Sequence, residues 1–188
     1  AGCSKRMGTS NKLLLRWKNS TLIEQTTRVC TQSIADEFLV VLGHESTQVR
    51  SELDSLNVKF IENPIFEKGM LTSIQAGVQE ISSESNGFMV FLGDQPKLPL
   101  SLLNQLIEQF QNDYDPEKDL IVVPVCDGIR RNPVLFSISF KERMLALQGE
   151  GGKAMIESNL NAIVEVNIDD ENLFQDIDTV QEYHSLKP

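Results

Sequence analysis

Three runs of this chain are apolar almost without a break, and helical periods lie between them. Residues 37–42 carry Phe38, Leu39, Val40, Val41 and Leu42 in succession, and 87–92 and 120–125 are of the same kind. Strands apolar on both sides of the pleat are buried on both faces, as parallel strands between helical layers are. The segment 21–33 has Leu22, Ile23, Thr26 and Val29 along one side, and 46–56 has Val49, Leu53 and Leu56. The segment 100–111 sets Leu103, Leu106, Ile107 and Phe110 inward, and 71–81 is a further helix. These are helical spacings. Shorter strands are expected at 58–61, 133–136 and 162–166, with helices at 139–147 and 153–159 and a helical turn near 179–183. Such alternation predicts an α/β fold in three layers, Rossmann-like, with a mostly parallel sheet. At 188 residues, without repeats or low-complexity tracts, one domain is the simple reading. Residues 112–118 are polar, contain Pro116 and read as a surface loop.

Charge sharpens the question of function. Lys and Arg number 17 against 27 Asp and Glu, a net charge of −10. That balance opposes non-specific nucleic-acid binding but leaves room for one local anion site. Residues 1–23 hold Lys5, Arg6, Lys12, Arg16 and Lys18 and no acid; the first is Glu24. The opening is therefore either an anion-binding segment or a solvated basic tail. Cys3, Cys30 and Cys126 are far apart and odd in number, which fits a reducing compartment. No apolar run is long enough to cross a membrane and no signal-peptide pattern is visible, so the expected setting is cytoplasmic.

Five groups of residues have the composition of a phosphate-handling site. Gly2, Ser4, Lys5, Arg6, Gly8 and Lys12 combine tight-turning glycines with an arginine fork and a compact ammonium. The P-loop pattern is absent, and a flexible turn is the plain alternative. Asp94 directly follows an apolar strand in Leu92-Gly93-Asp94-Gln95-Pro96. A carboxylate at that sheet edge can hold Mg²⁺ against phosphate oxygens, though Asp is also an ordinary turn residue. Asn63, Pro64, Gly69, Met70 and Ser73 lead into a helix whose first turn offers unpaired N–H groups, or is simply capped. Asp127, Gly128, Arg130, Arg131, Asn132 and Pro133 put two arginines ahead of an Asn-Pro turn. Asp176 and Asp178 stand two apart near the tail and would face one way in an extended segment, or cap the last helix.

The string AGCSKRMGTSNKLLL resembles the opening signature of the MobA-like nucleotidyltransferases, a phosphate-binding loop in that family. The resemblance extends in order through 63–77, 92–96, 127–136 and 176–183. It implies a nucleotide-diphospho-sugar-transferase type of fold. Ala1, Gly2, Ser4, Lys5, Arg6, Gly8 and Lys12 would bind the nucleotide, with Gly69, Met70 and Ser73 beside them. Arg6, Lys12 and Asp94 would carry the transfer, and Asp94 and Asp178 would hold Mg²⁺. The family has an apolar strand just before this signature, so the native chain is expected to carry one ahead of Ala1. The 63–74 stretch looks closer to the molybdopterin cytidylyltransferase branch than to the guanylyl one. That implies CTP rather than GTP, a phosphorylated pterin-like acceptor, and a molybdenum hydroxylase or its maturation factor downstream.

The chain also departs from the family pattern. Arg131 stands where glycine is usual, Gly149 to Lys153 replace a Gly-Asp-x-Gly run, and Val180 replaces a proline. Three readings compete with cytidylyl transfer. They are guanylyl or other nucleotidyl transfer to a different acceptor, sugar-phosphate nucleotidyl transfer, and nucleotide binding without turnover. A dinucleotide oxidoreductase is disfavoured, because no GxGxxG is present.

Overall fold

A computed structural model describes residues 11–149, 152–177 and 179–186. The described residues begin with a 3-10 turn at Lys12–Leu14 and a hairpin of β1 (Arg16–Trp17) and β2 (Ser20–Thr21). There follow α1 (Leu22–Thr31), β3 (Leu39–Leu42), α2 (Ser46–Leu53), β4 (Lys59–Glu62), α3 (Met70–Gln79), β5 (Gly87–Val90) and α4 (Leu100–Asp113). The second half comprises β6 (Ile121–Cys126), β7 (Ile129–Arg130), β8 (Val134–Ser137), α5 (Lys141–Ala146), α6 (Gly152–Glu157), β9 (Ile163–Asn167) and α7 (Val180–Leu186).

The three apolar runs are strands, and the long amphipathic segments between them are helices. The expected α/β class holds, with a mixed sheet. β3 pairs with β4, and β6 with β9, in parallel. β8 lies antiparallel between β5 and β6, and β7 forms a hairpin with β6. The hairpin turns on Asp127 and Gly128, both at positive φ, which is the geometry two-residue hairpins favour.

Every residue of β6 is buried, and its two faces feed two cores. Ile121 and Val123 join Phe88, Val134 and Phe136, covered by Leu71 and Val78 of α3, Met144 of α5 and Met155 of α6. Val122 and Cys126 join Leu135 and Val166, covered by Leu102, Leu106 and Phe110 of α4. Helices thus flank this sheet on both sides, giving three layers. The pair β3–β4 is less enclosed: of its eight residues only Leu42 is buried. It packs through Leu42 against Ile23, Val49 and Leu53.

Helix limits follow local chemistry. Thr21 caps α1, its hydroxyl accepting from the Glu24 N–H at 3.3 Å. α2 stops at Leu53, short of the expected 56, and Leu56 still packs on that core from the following turn. Gln75 of α3 donates through Nε2 toward the carbonyls of Met144, Leu145 and Leu147, at 3.0–3.1 Å. It satisfies the open end of α5 and locks the two helices together.

Candidate active site at the carboxyl end of the sheet

β5 runs out at Val90, and its extension delivers Asp94 to the carboxyl edge of the sheet, where open α/β folds form sites. The turn is tightly held. The Thr26 hydroxyl of α1 donates to the Gly93 carbonyl at 3.3 Å, and the Ile177 N–H donates to the Asp94 carbonyl at 3.3 Å. Position 93 has little room for a side chain, since a Cβ there would stand 2.9 Å from Ile23 Cδ1. α1 therefore approaches the turn closely enough to fix its path.

Lys12 meets this carboxylate across 82 positions of sequence, its Nζ lying 2.6 Å from Asp94 Oδ2. Asn11, the buried residue before Lys12, caps the 3-10 turn by accepting from the Leu13 N–H at 3.1 Å. Both charged side chains are mostly enclosed, with 16% and 19% exposure, so their attraction is only partly screened by water. Asp94 Oδ1 is buried and has no hydrogen-bond partner. A half-used carboxylate beside an ammonium is suited to a divalent cation or to polyphosphate brought in with one.

A second segment is built differently. Gly69 sits at φ 113° and ψ 175°, a conformation that essentially only glycine adopts, and no side chain caps α3. Its first-turn N–H groups are thus without a side-chain cap. Asn63 organises the approach. It is buried, donates to the hydroxyls of Thr72 and Ser73 at 2.9 and 3.0 Å, and accepts from the Ile65 N–H at 3.1 Å. Ser73 is thereby oriented by Asn63, while Met70 is 59% exposed at the helix start.

A cavity of about 50 Å³ brings three of the five residue groups together, through Met70, Leu92 and Asn132, and Gly152 and Ile156 also line it. Lys153 is exposed and pairs with Glu157 one helical turn on. A larger groove of about 470 Å³, walled by Trp17, Lys18, Gln25, Pro96, Lys97 and Asn172 among others, includes neither Lys12 nor Asp94 and lies apart from this chemistry.

Ala1, Gly2, Ser4, Lys5, Arg6 and Gly8 lie outside the described residues, as do Cys3, Glu150, Gly151 and Asp178. Ile177, the neighbour of Asp178, is bound to the Asp94 backbone, so the acidic tail returns to this edge. Among the described residues no group of three His, Cys, Asp or Glu could hold a metal ion. Neither described cysteine is poised as a nucleophile. Burial pushes the Cys30 thiol up to about 12 and raises that of Cys126 as well, the latter helped by the charge of Asp127. His44 packs against Phe66 with ring centroids 6.1 Å apart and lends its carbonyl to Asn11. No described helix is long and apolar enough to cross a membrane.

Two contributors were not visible in the sequence, and the role of a third was not. Asn63 stood out only as part of an Asn-Pro stretch, whereas its burial and three bonds make it the clamp of the loop. Thr26 and Gln75 read as ordinary helix residues; only the fold reveals their distant carbonyls.

Comparison with known proteins gives the family. Residues 1–164 match the MobA-like NTP transferase domain. The chain is 26% identical over 189 residues to the molybdenum cofactor cytidylyltransferase of Escherichia coli, covering 100% of this chain and 92% of that protein. It is 30% identical over 195 residues to a probable molybdenum cofactor guanylyltransferase of Bacillus mycoides, covering 97% and 90%. Among solved structures, Rv0371c from Mycobacterium tuberculosis superposes with a TM-score of 0.83 at 26% identity, over 100% of this chain and 93% of that one. With a strand-end aspartate, a lysine on it and this fold, the chain belongs to the MobA-like NTP transferase family.

Proposed function

We propose that this protein moves CMP from CTP to the terminal phosphate of molybdopterin or its molybdenum form, releasing pyrophosphate. The observation that carries the reading is the enclosed Lys12–Asp94 pair with its unused carboxylate oxygen at the end of β5. An acceptor phosphate oxygen attacks the α-phosphorus. The bond from that phosphorus to the α–β bridging oxygen breaks, and pyrophosphate leaves with the electron pair.

The residues divide the work. Lys12, with Arg6, would hold the triphosphate and offset the charge that builds on the leaving pyrophosphate. The opening loop, Ala1, Gly2, Ser4, Lys5 and Gly8, would add backbone and side-chain contacts to the phosphates. Gly69, Met70 and Ser73 would line the nucleotide from the start of α3. Asp94, through Oδ1, and Asp178 would hold Mg²⁺. When bound, that ion neutralises phosphate oxygens as charge shifts toward the leaving group. No covalent enzyme intermediate is required, since alignment and electrostatics suffice for such a transfer.

The preference for CTP rests on the Asn63–Ile74 stretch and on the E. coli relative; the B. mycoides relative supports GTP instead. Calorimetric titration of CTP and of GTP with Mg²⁺ separates them. CTP binding that disappears in Asp94→Ala supports the reading, and indifference to both nucleotides sinks it. Pyrophosphate release with molybdopterin then tests the acceptor. In this reading the product passes in the cytoplasm to a molybdenum hydroxylase or its maturation factor.

A further inference from the structure

Among the described residues, three side-chain polar atoms are buried without a hydrogen-bond partner: Asp94 Oδ1, Gln95 Oε1 and Arg131 Nε. Folded proteins leave few such atoms unmet, so orphans gathered at one edge point to a ligand. The proposed cation accounts for the first. Arg131 is the one that carries charge and is not yet used.

The sheet itself places Arg131 there. The ladder between β6 and β8 ends at Val122 opposite Leu135, and the hairpin ladder resumes at Val125 opposite Arg130. In between, Val123 and Pro124 stand across from the four residues Arg131 to Val134. Pro124 cannot donate to a ladder, and the interruption falls where that donor is missing. The surplus residues form a bulge, a device that re-aims side chains next to sites. One bond spans it, from the Arg131 N–H to the Pro124 carbonyl at 2.8 Å. On the other side of β8, Val90 pairs with Val134, and continuing that register sets Leu92 beside Asn132. The two residues line the same small cavity. Asp94 and the Arg131–Asn132 turn therefore share one end of the sheet.

The neighbouring cations are already engaged. Arg130 pairs with Glu165 at 2.9 Å and Lys12 with Asp94 at 2.6 Å. Asp127, Asp170 and Glu171 carry charge close to Cys126, yet none of them pairs with Arg131. A half-buried guanidinium with an unmet donor and no carboxylate in ion-pair contact is organised for an external anion, and its planar fork suits phosphate. The reaction proposed above must bring two phosphate groups together inside a chain of net charge −10, so a cation is needed on the acceptor side as well as the nucleotide side.

We infer that Arg131 is the acceptor anchor: its guanidinium binds a phosphate group of the nucleotidyl acceptor at the end of the sheet that carries Asp94. The inference rests on the proposed transfer reaction for the identity of that group, and on the bulge and the orphaned donor for its place. It also gives a role to the residue at which this chain leaves the family pattern.

Inorganic phosphate is the probe. Its binding is followed by equilibrium dialysis in the parent protein, Arg131→Gln, Arg131→Lys and Arg130→Gln, each checked for an unchanged melting curve. Arg131→Gln is expected to weaken phosphate at least tenfold, since a charge-assisted bond is lost. Arg131→Lys recovers part of it, and Arg130→Gln leaves it unaltered. In the transfer assay Arg131→Gln raises KM for molybdopterin at least tenfold while KM for the nucleotide stays within twofold. Phosphate binding that is absent from the parent, or equal in the parent and Arg131→Gln, overturns the inference. So does an equal loss in Arg130→Gln, or a rise in nucleotide KM instead of acceptor KM. If the parent transfers no nucleotide to molybdopterin, the functional reading fails separately, and phosphate binding still decides the role of Arg131.

Discussion

The Asp94 turn and the Gly69 loop both face the proposed nucleotide, yet they are built in opposite ways. The Asp94 turn is fastened from three directions: α1 through Thr26, the tail through Ile177, and the opening segment through Lys12. The Gly69 loop is held by one buried residue, Asn63, and by the Thr72 hydroxyl it orients, which donates to the Gly69 carbonyl at 2.9 Å, and its helix begins without a side-chain cap. The first arrangement fixes charge where charge must be handled. The second leaves donors open and lets the ligand complete them. Transfer of a nucleotide needs both, since electrostatic help is worth most when preorganised, whereas a base and ribose must enter and leave.

Substitutions can break that contrast. Asp94→Asn keeps the shape but removes the charge, and pyrophosphate release is expected to fall by about 10³-fold with little change in melting temperature. Turnover that survives would move the chemistry elsewhere. Asn63→Ala acts on the other region. It leaves the Ser73 hydroxyl and the Ile65 N–H to find new partners and takes one donor from Thr72, and chemical denaturation should register a loss of about 2–3 kcal/mol. Nucleotide KM should rise more than kcat falls.

The glycines provide a finer comparison. Gly69→Ala meets open space but a backbone conformation closed to alanine, so about 1–3 kcal/mol of strain is expected, read as a lower melting temperature. Gly93→Ala has no such backbone conflict and presses on the mobile end of Ile23, so the cost is about 1 kcal/mol. A larger cost at 93 than at 69 would mean that the Asp94 turn, not the Gly69 loop, stores the strain.

The smallest effect is expected far from both. The Arg143 guanidinium holds the Asp119 carboxyl below the usual range, with Ser139 assisting. A carboxyl lowered on folding adds stability above its unfolded value and loses it as pH falls through the folded one. Asp119→Asn should therefore cost under about 1 kcal/mol at neutral pH, discounted for exposure, and the gap should close in acid. Melting temperatures across pH 7 to 3 would follow it.

Much of the fold was legible. β6 announces itself because both faces are apolar, and Asp94 because it directly follows a strand of that kind. What was hidden is what sequence distance conceals. That β8 runs antiparallel between β5 and β6 depends on pairing partners, not on its own residues. The hairpin at Asp127-Gly128 had a local signal, but its strand of two residues is too short for a period. Lys12 and Asp94 each looked capable alone; their contact follows from the packing of α1 against the sheet. Gly93 looked like a turn residue, and its tight fit appears only once Ile23 is beside it.

Trp17 is the chain's one tryptophan, and it is 3% exposed, enclosed by Leu22, Ile177 and Tyr183. The Tyr183 hydroxyl donates to the Arg16 carbonyl at 2.6 Å, stitching the tail to the hairpin. The same tail touches the Asp94 backbone through Ile177. The indole is consequently a native optical gauge of that seam. Its emission should redden if the tail lifts, so ligand-linked movement at the sheet edge can be watched in unlabelled protein, one photon stream at a time.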